Sequence, residues 1–318
     1  MRKILLPIAL LLLFLFPCLT AAQDTGTGMD FLNIGPTPRV LSLSEAVTSR
    51  PSGVASIYSN PSLLAREPRS VVDVAYTLWI ANVNNQFAGV NFARERSAIA
   101  FSVYNSSSDG FEARDRPGPS AGNFSIGYIS LAGAYALQLG SFSAGVSGQY
   151  LREEIFQYRA SGYSVTAGAS LSMADERILI GSALQNIGRM QSLDNHSSSL
   201  PSSFNLGLSA QVLEISSPGA NDFPMVFTLT GDWHYYLSER LPGDYTRSDQ
   251  KRSFYSLALS LLAADLFVLE TGYRFGNTER PFSAGAGLLL DPLRINYAFV
   301  PFSTGFGSVH SFGLQYYF

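Results

Sequence analysis

The chain closes on Ser311-Phe312-Gly313-Leu314-Gln315-Tyr316-Tyr317-Phe318. Phe312, Leu314, Tyr316 and Phe318 fall at every second position, with Ser311, Gly313, Gln315 and Tyr317 between them. Successive side chains of an extended strand point to opposite faces, so this stretch reads as a strand with one apolar, mostly aromatic face. An ordinary amphipathic strand has the same period. The added feature is that the chain ends on the aromatic face itself.

The alternation recurs upstream from about Val71. Val72, Val74, Tyr76, Leu78 and Ile80 oppose Asp73, Ala75 and Thr77; Phe204, Leu206, Leu208, Ala210 and Val212 oppose Asn205, Gly207, Ser209 and Gln211. Phe267, Leu269, Thr271, Tyr273 and Phe275 oppose Val268, Glu270, Gly272 and Arg274 in the same way. Such segments lie near 71–80, 85–94, 97–104, 123–139, 142–152, 161–173, 177–187, 203–213, 225–237, 253–262, 265–275, 281–290, 292–300 and 309–318. That is about fourteen strands of the roughly ten residues a tilted membrane strand needs.

The connections follow an up-and-down rhythm. Glu95-Arg96, Gly140-Ser141, Ala174-Asp175-Glu176, Ala263-Ala264 and Asp291-Pro292 are short, as periplasmic turns are. The intervening stretches Asn105–Gly122, Gly188–Ser202 and Ser238–Arg252 are long and polar, as external loops are. Glu214–Pro224 breaks the rule, being long where a short turn is expected. The expected fold is an all-β transmembrane antiparallel barrel over 71–318, with outer-membrane lipid against its apolar face. A β-sandwich or soluble lipid-binding barrel would turn the same faces inward, and periodicity alone does not say which way a face points.

Composition agrees with a membrane barrel. Charged residues are 14% of the chain, against roughly 25% in soluble domains. Aromatics reach 13%, with 22 Phe and 16 Tyr against 2 Trp. After residue 22 no apolar run is long enough for a membrane helix. Residues 1–22 read as a secretory leader: Arg2 and Lys3, an apolar run from Ile4 to Leu19, then Thr20-Ala21-Ala22 for cleavage near Ala22. The single cysteine, Cys18, leaves with it, which excludes disulfides, thiolate metal sites and cysteine nucleophiles. Losing two positive residues takes the formal charge from −3 to −5, and no basic patch points to nucleic acid.

Residues 23–70 are polar and broken by Pro36, Pro38, Pro51, Gly53, Pro61 and Pro68. Asp24–Met29 reads as a flexible lead and Leu41–Ser49 as a short helix. Ahead of a barrel, such a segment is a periplasmic extension or a hatch that plugs the lumen, and the lumen of so many strands leaves room for one.

Here the chain resembles a known family. Phe31-Leu32-Asn33-Ile34-Gly35, Arg39 and Ser56-Ile57-Tyr58-Ser59-Asn60-Pro61-Ser62-Leu63-Leu64-Ala65 look like the opening of PorV/PorQ-type outer-membrane proteins. Gln185-Asn186-Ile187-Gly188 and Tyr297-Ala298-Phe299-Val300-Pro301-Phe302 echo it later, while Leu41–Ser44 and Arg50–Gly53 depart from its usual pattern. That family is similar to the FadL-like barrels, with fourteen strands and an N-terminal hatch. The resemblance implies a hatch motif of Arg39, Tyr58, Asn60 and Pro61. It also implies an accessory role in type IX protein secretion or surface attachment, with secretion components and exported cargo proteins as partners. Loops Asn105–Gly122 and Ser238–Arg252 would then matter most. Asn60-Pro61 also has a plain turn-forming reading, since Asn caps turns and Pro fixes the backbone beside it. The alternative function is a FadL-like transporter or channel for hydrophobic small molecules. The C-terminal set Phe312, Leu314, Tyr316 and Phe318 resembles the signal read by the barrel assembly machinery.

No catalytic constellation stands out, and no metal or cofactor site is expected. His196, His234 and His310 are isolated, with no His-x-x-x-His pair and no Gly-x-Ser-x-Gly elbow. His234 with a serine of a neighbouring strand is the one enzymatic candidate, and chance accounts for it. Asp73, Asp232, Glu270, Arg274 and Arg294 fall on expected strands and should face the lumen, because charge against lipid is costly. They would either hold a hatch in place or line a transport path.

Overall fold

The computed structural model describes residues 29–113, 122–192, 200–215, 223–238, 252–303, 305 and 307–318. The expected leader and its cleavage point, the lead over 24–28, and His196 lie outside the described residues. The strands are β1 Val71–Leu78, β2 Val83–Ala93, β3 Ser97–Ala113, β4 Gly122–Leu139, β5 Phe142–Ile155, β6 Tyr158–Met173 and β7 Ile178–Met190. They continue as β8 Ser203–Ile215, β9 Met225–Tyr236, β10 Ser253–Ala263, β11 Phe267–Phe275, β12 Phe282–Leu290, β13 Leu293–Pro301 and β14 Ser308–Tyr317. Each pairs antiparallel with its neighbours in sequence, and β1 pairs with β14 from Val71↔Tyr317 to Leu78↔His310, closing the barrel. Closure leaves no strand edge unpaired, as a lipid environment demands.

Closure also decides the direction of the faces. Val72, Val74, Tyr76 and Leu78 are exposed on the outer wall while Asp73 and Thr77 are buried inside. Leu206 and Leu208 are exposed against buried Asn205 and Ser209, and Leu269, Tyr273 and Phe275 against buried Glu270 and Arg274. A belt of aliphatic and aromatic side chains facing outward suits lipid and excludes the soluble alternatives. The start of β1, the end of β14 and the Asp291-Pro292 turn share one end: the Phe318 N–H donates to the Ser70 carbonyl at 3.0 Å and the Tyr317 N–H to the Pro292 carbonyl at 2.9 Å. Gly140, at φ 63°, supplies the left-handed step of its two-residue turn.

Four expectations need correction. β3 runs through Asn105 to Ala113, so the first part of the expected Asn105–Gly122 loop is strand. The polar run Ser106-Ser107-Ser108 read as loop, yet its backbone keeps pairing with β4, and the Phe111 and Phe124 rings stack at 5.4 Å beyond a register shift. β7 likewise reaches Met190, so Gly188–Met190 of the expected loop is strand, and β10 includes Ala263 of the expected Ala263-Ala264 turn. The helix expected at Leu41–Ser49 is instead α1, Pro38–Ser42. Pro38 opens it with a preset φ, and Ser44 and Glu45 at φ 50° and 63° end it.

The segment from Met29 to Ser70 lies within the barrel. It holds α1, a second short helix α2 (Ser56–Ser59), and 3-10 turns at Asp30–Asn33 and Pro61–Arg66. α1 packs on β11 to β14, α2 on β3 to β7, and the Pro61–Arg66 turn on β2 to β6. Met29, Leu41, Leu43, Ile57, Leu63 and Leu64 are among the most buried side chains of the protein. Met29, read as part of a flexible lead, is thus a core residue.

Candidate functional site

The lumen accepts this segment because glycines on the inner face let backbone meet backbone. A Cβ at Gly181 would stand 2.0 Å from the Thr48 carbonyl oxygen, one at Gly145 2.6 Å from the Pro61 carbonyl carbon, and one at Gly272 2.5 Å from that of Leu43. Real side chains never approach so closely, so the wall is cut to the path of the segment. In sequence these glycines read only as small residues opposite the apolar face. Their spread over β5, β7 and β11 was a legible signal that something large lies against the wall.

Of the four residues of the expected hatch motif, Asn60 ties the segment to the wall. It is buried, and its side-chain N–H groups donate to the carbonyls of Thr48 (2.7 Å) and Ala169 on β6 (3.2 Å). Its Oδ1 accepts from the Ser62 N–H and hydroxyl at 3.2 and 2.7 Å, capping the turn that Pro61 opens. Turn-forming and wall-anchoring are the same act here. The Tyr58 hydroxyl lies 3.1 Å from Ser102 Oγ and 3.4 Å from Ser130 Oγ, and burial raises its pKa above the usual phenol value. Arg39 reaches Glu270 at 3.8 Å.

All five charges expected to face the lumen are buried inside the barrel. Three hold the N-terminal segment directly. Asp232 accepts the Thr48 N–H at 2.8 Å, Glu270 accepts the Ser42 hydroxyl at 2.6 Å, and Arg274 pairs with Glu45. Asp73 accepts instead from Gln315 of the wall at 3.0 Å, and Arg294 donates to Asn296 at 2.9 Å. Sequence reasoning missed the partners Glu45 and Arg280. Arg280 binds Glu45 at 2.9 Å and lies over the Trp79 ring. Burial alone would raise the Glu45 carboxyl; the Arg274 and Arg280 guanidiniums outweigh it and hold the group at about 2.

Toward the loop end the lumen is aromatic. Phe31 stacks on Tyr128 at 5.5 Å and tilts against Tyr104 at 5.2 Å, and Tyr58 meets Phe87 and Tyr104 edge-on. With Ile57, Met29 and Leu64 they form a buried apolar cluster inside an otherwise polar lumen. Toward the turn end lies a charged cavity of about 640 Å³.

The C-terminal aromatic set points outward: Phe312, Leu314, Tyr316 and Phe318 are all exposed on the outer face. His234 faces inward, stacked on Phe254 at 4.4 Å, with no hydrogen-bond partner at Nε2 and so no serine bonded there. His310 bonds Tyr297 and Ser308. Among the described residues no group of His, Cys, Asp or Glu is placed to hold a metal ion.

No family model matches the chain, and no curated protein matches it. Solved structures do. The monoaromatic hydrocarbon channel CymD superposes with a TM-score of 0.58 at 11% identity, covering 90% of this chain and 98% of its own. The Pseudomonas putida toluene transporter TodX gives 0.57 at 11% identity, covering 92% and 98%. At such identity the likeness is one of fold alone. It does not show the PorV/PorQ type or type IX secretion. The chain is a closed fourteen-strand transmembrane β-barrel with the fold of these two channels.

Proposed function

We propose that the barrel passes small hydrophobic molecules across the outer membrane, with the segment 29–70 as a hatch across the path. The observation that carries this reading is the aromatic cluster around Phe31. A polar lumen has no need of such a cluster for stability of its wall, whereas a hydrophobic solute needs an apolar station inside the barrel. The hatch is held by separable polar contacts at Asn60, Asp232, Glu270 and Glu45, and such contacts can be exchanged for water without unfolding the wall. The fold shared with hydrocarbon channels agrees, as analogy.

An accessory role in type IX secretion was the first implication of the sequence resemblance. Its most specific motif, Ser56–Ala65, is accounted for by docking of the hatch, which leaves that role without an observation of its own. The transport reading is therefore preferred.

The test uses the absence of cysteine after Cys18. Ser44 Oγ and Ser283 Oγ lie 2.8 Å apart across hatch and wall, so Ser44→Cys with Ser283→Cys makes a reducible tether. Uptake of toluene by cells carrying the protein should exceed that of a deletion strain, fall in the oxidised double variant and recover on reduction. Equal uptake with and without the protein would overturn the proposal.

A further inference from the structure

We propose that the turn-end cavity is an oxyanion site, taking a carboxylate or phosphate group between Arg39, Arg50 and Arg294. This does not rest on the transport reading: it assigns a charged ligand to the opposite end of the lumen from the aromatic cluster.

The rim of the cavity is electrically matched. Arg66 faces Glu176 at 3.9 Å, Arg69 faces Asp291 at 2.5 Å, and Arg177 faces Glu214 at 3.1 Å. Deeper in, the balance changes. Arg39 and Arg294 share one oxygen of Glu270 at 3.8 and 4.0 Å, beyond hydrogen-bond length, while its other oxygen is taken by Ser42. Arg50 meets no carboxylate within ion-pair distance among the described residues; one of its terminal nitrogens donates to Ser260 Oγ at 3.0 Å.

The nearest other acids are engaged elsewhere. Glu67 accepts the Gly53 N–H at 2.7 Å, and Asp73 accepts from Gln315. The Nε–H groups of Arg39 and Arg50 are buried without hydrogen-bond partners. Burial, with the positive neighbours Arg39 and Arg294, lowers Arg50 to about 10, and Glu270 offsets this only in part.

Three guanidiniums at one cavity face two carboxylates, Glu270 and Glu67, neither hydrogen-bonded to any of them, which leaves donors and one positive charge unmet. Burying such donors is costly unless a partner arrives. The planar forks of arginine match the oxygens of carboxylate and phosphate, and hydrogen bonds between charged groups are the strong ones. The cavity has room for the solute that carries the anion.

The experiment is titration calorimetry on the full mature chain in a neutral detergent, with inorganic phosphate in one arm and hexanoate in the other. Saturable binding is expected, weakened roughly tenfold or more in Arg39→Gln and Arg50→Gln and unchanged in Arg177→Gln at the matched rim. Binding of phosphate as well as hexanoate identifies a free-anion site; binding of hexanoate alone identifies an amphiphile's headgroup. A second measurement needs no variant: either ligand should slow phenylglyoxal modification of Arg39 and Arg50 but not of Arg177, mapped by mass spectrometry. Absence of saturable binding in both arms, or binding that neither depends on nor protects Arg39 and Arg50, would overturn the proposal.

Discussion

Asn60 of the hatch rests directly on Gly168 of the wall, where an added Cβ would stand 1.9 Å from its Oδ1. The same side chain donates to the carbonyl of Ala169, the next residue along β6. The amide is bonded on both its oxygen and its nitrogen, so it cannot swing aside to admit a methyl group. Gly168→Ala should therefore unseat the hatch locally, at about 1–3 kcal/mol, the usual cost of overpacking. The outer face of β6 is untouched and the barrel should persist. Limited trypsin digestion reads the result: faster cleavage after Arg39 and Arg66, with heat-modifiable gel mobility retained. Cleavage at the wild-type rate would show that this contact does not hold the hatch.

Glu45 gives the docked hatch a pH dependence of known sign. Its pKa is lowered from 4.5 to about 2, so its stabilisation is fully present above 4.5 and is lost as pH falls from there toward 2. The difference corresponds to about 3 kcal/mol at neutral pH. Protease sensitivity of the hatch should rise across that window. Glu45→Gln should abolish the dependence and loosen the hatch at pH 7 by roughly 3–5 kcal/mol, because Arg274 and Arg280 are left buried without their partner. A flat wild-type profile would contradict the assignment.

Phe31→Ala should cost about 3–5 kcal/mol of hatch docking, as large-to-small changes in cores do. It also empties the seat between Tyr104 and Tyr128. Toluene uptake should increase in this variant and stay near wild type in Phe31→Leu, which keeps most of the volume. Reduced uptake in Phe31→Ala would indicate that the ring assists passage rather than obstructing it.

Removing Phe318 deletes one backbone hydrogen bond to Ser70 and the ring contacts with Phe92 at 6.3 Å and Tyr316 at 6.4 Å. None of these closes the barrel, which the β1–β14 register already does. The truncated chain should refold in detergent like the full one yet reach the outer membrane of cells in smaller amount, if the terminal aromatic is read by the assembly machinery. Equal amounts in isolated outer membranes would refute that role.

Much of the wall was legible in the sequence because the side-chain period of a strand is local. Val72 and Asp73 announce opposite faces without reference to any other part of the chain, and turns such as Gly140-Ser141 mark where the faces restart. The serines at 106–108 misled because composition resembles a loop while pairing with β4 depends on a neighbouring strand. The five lumen-facing charges were legible for the same local reason, but not what they hold.

The sequence by itself determined the strands, their number and the polar character of one face. Only the tertiary structure decided that the apolar faces point outward, since closure of β1 on β14 is a relation between the two ends of the barrel. It alone set Asn60 on Gly168, Glu45 between Arg274 and Arg280, and Arg39 beside Glu270. Those partners lie about a hundred to more than two hundred residues apart in sequence, and no local period encodes a contact made across a folded lumen.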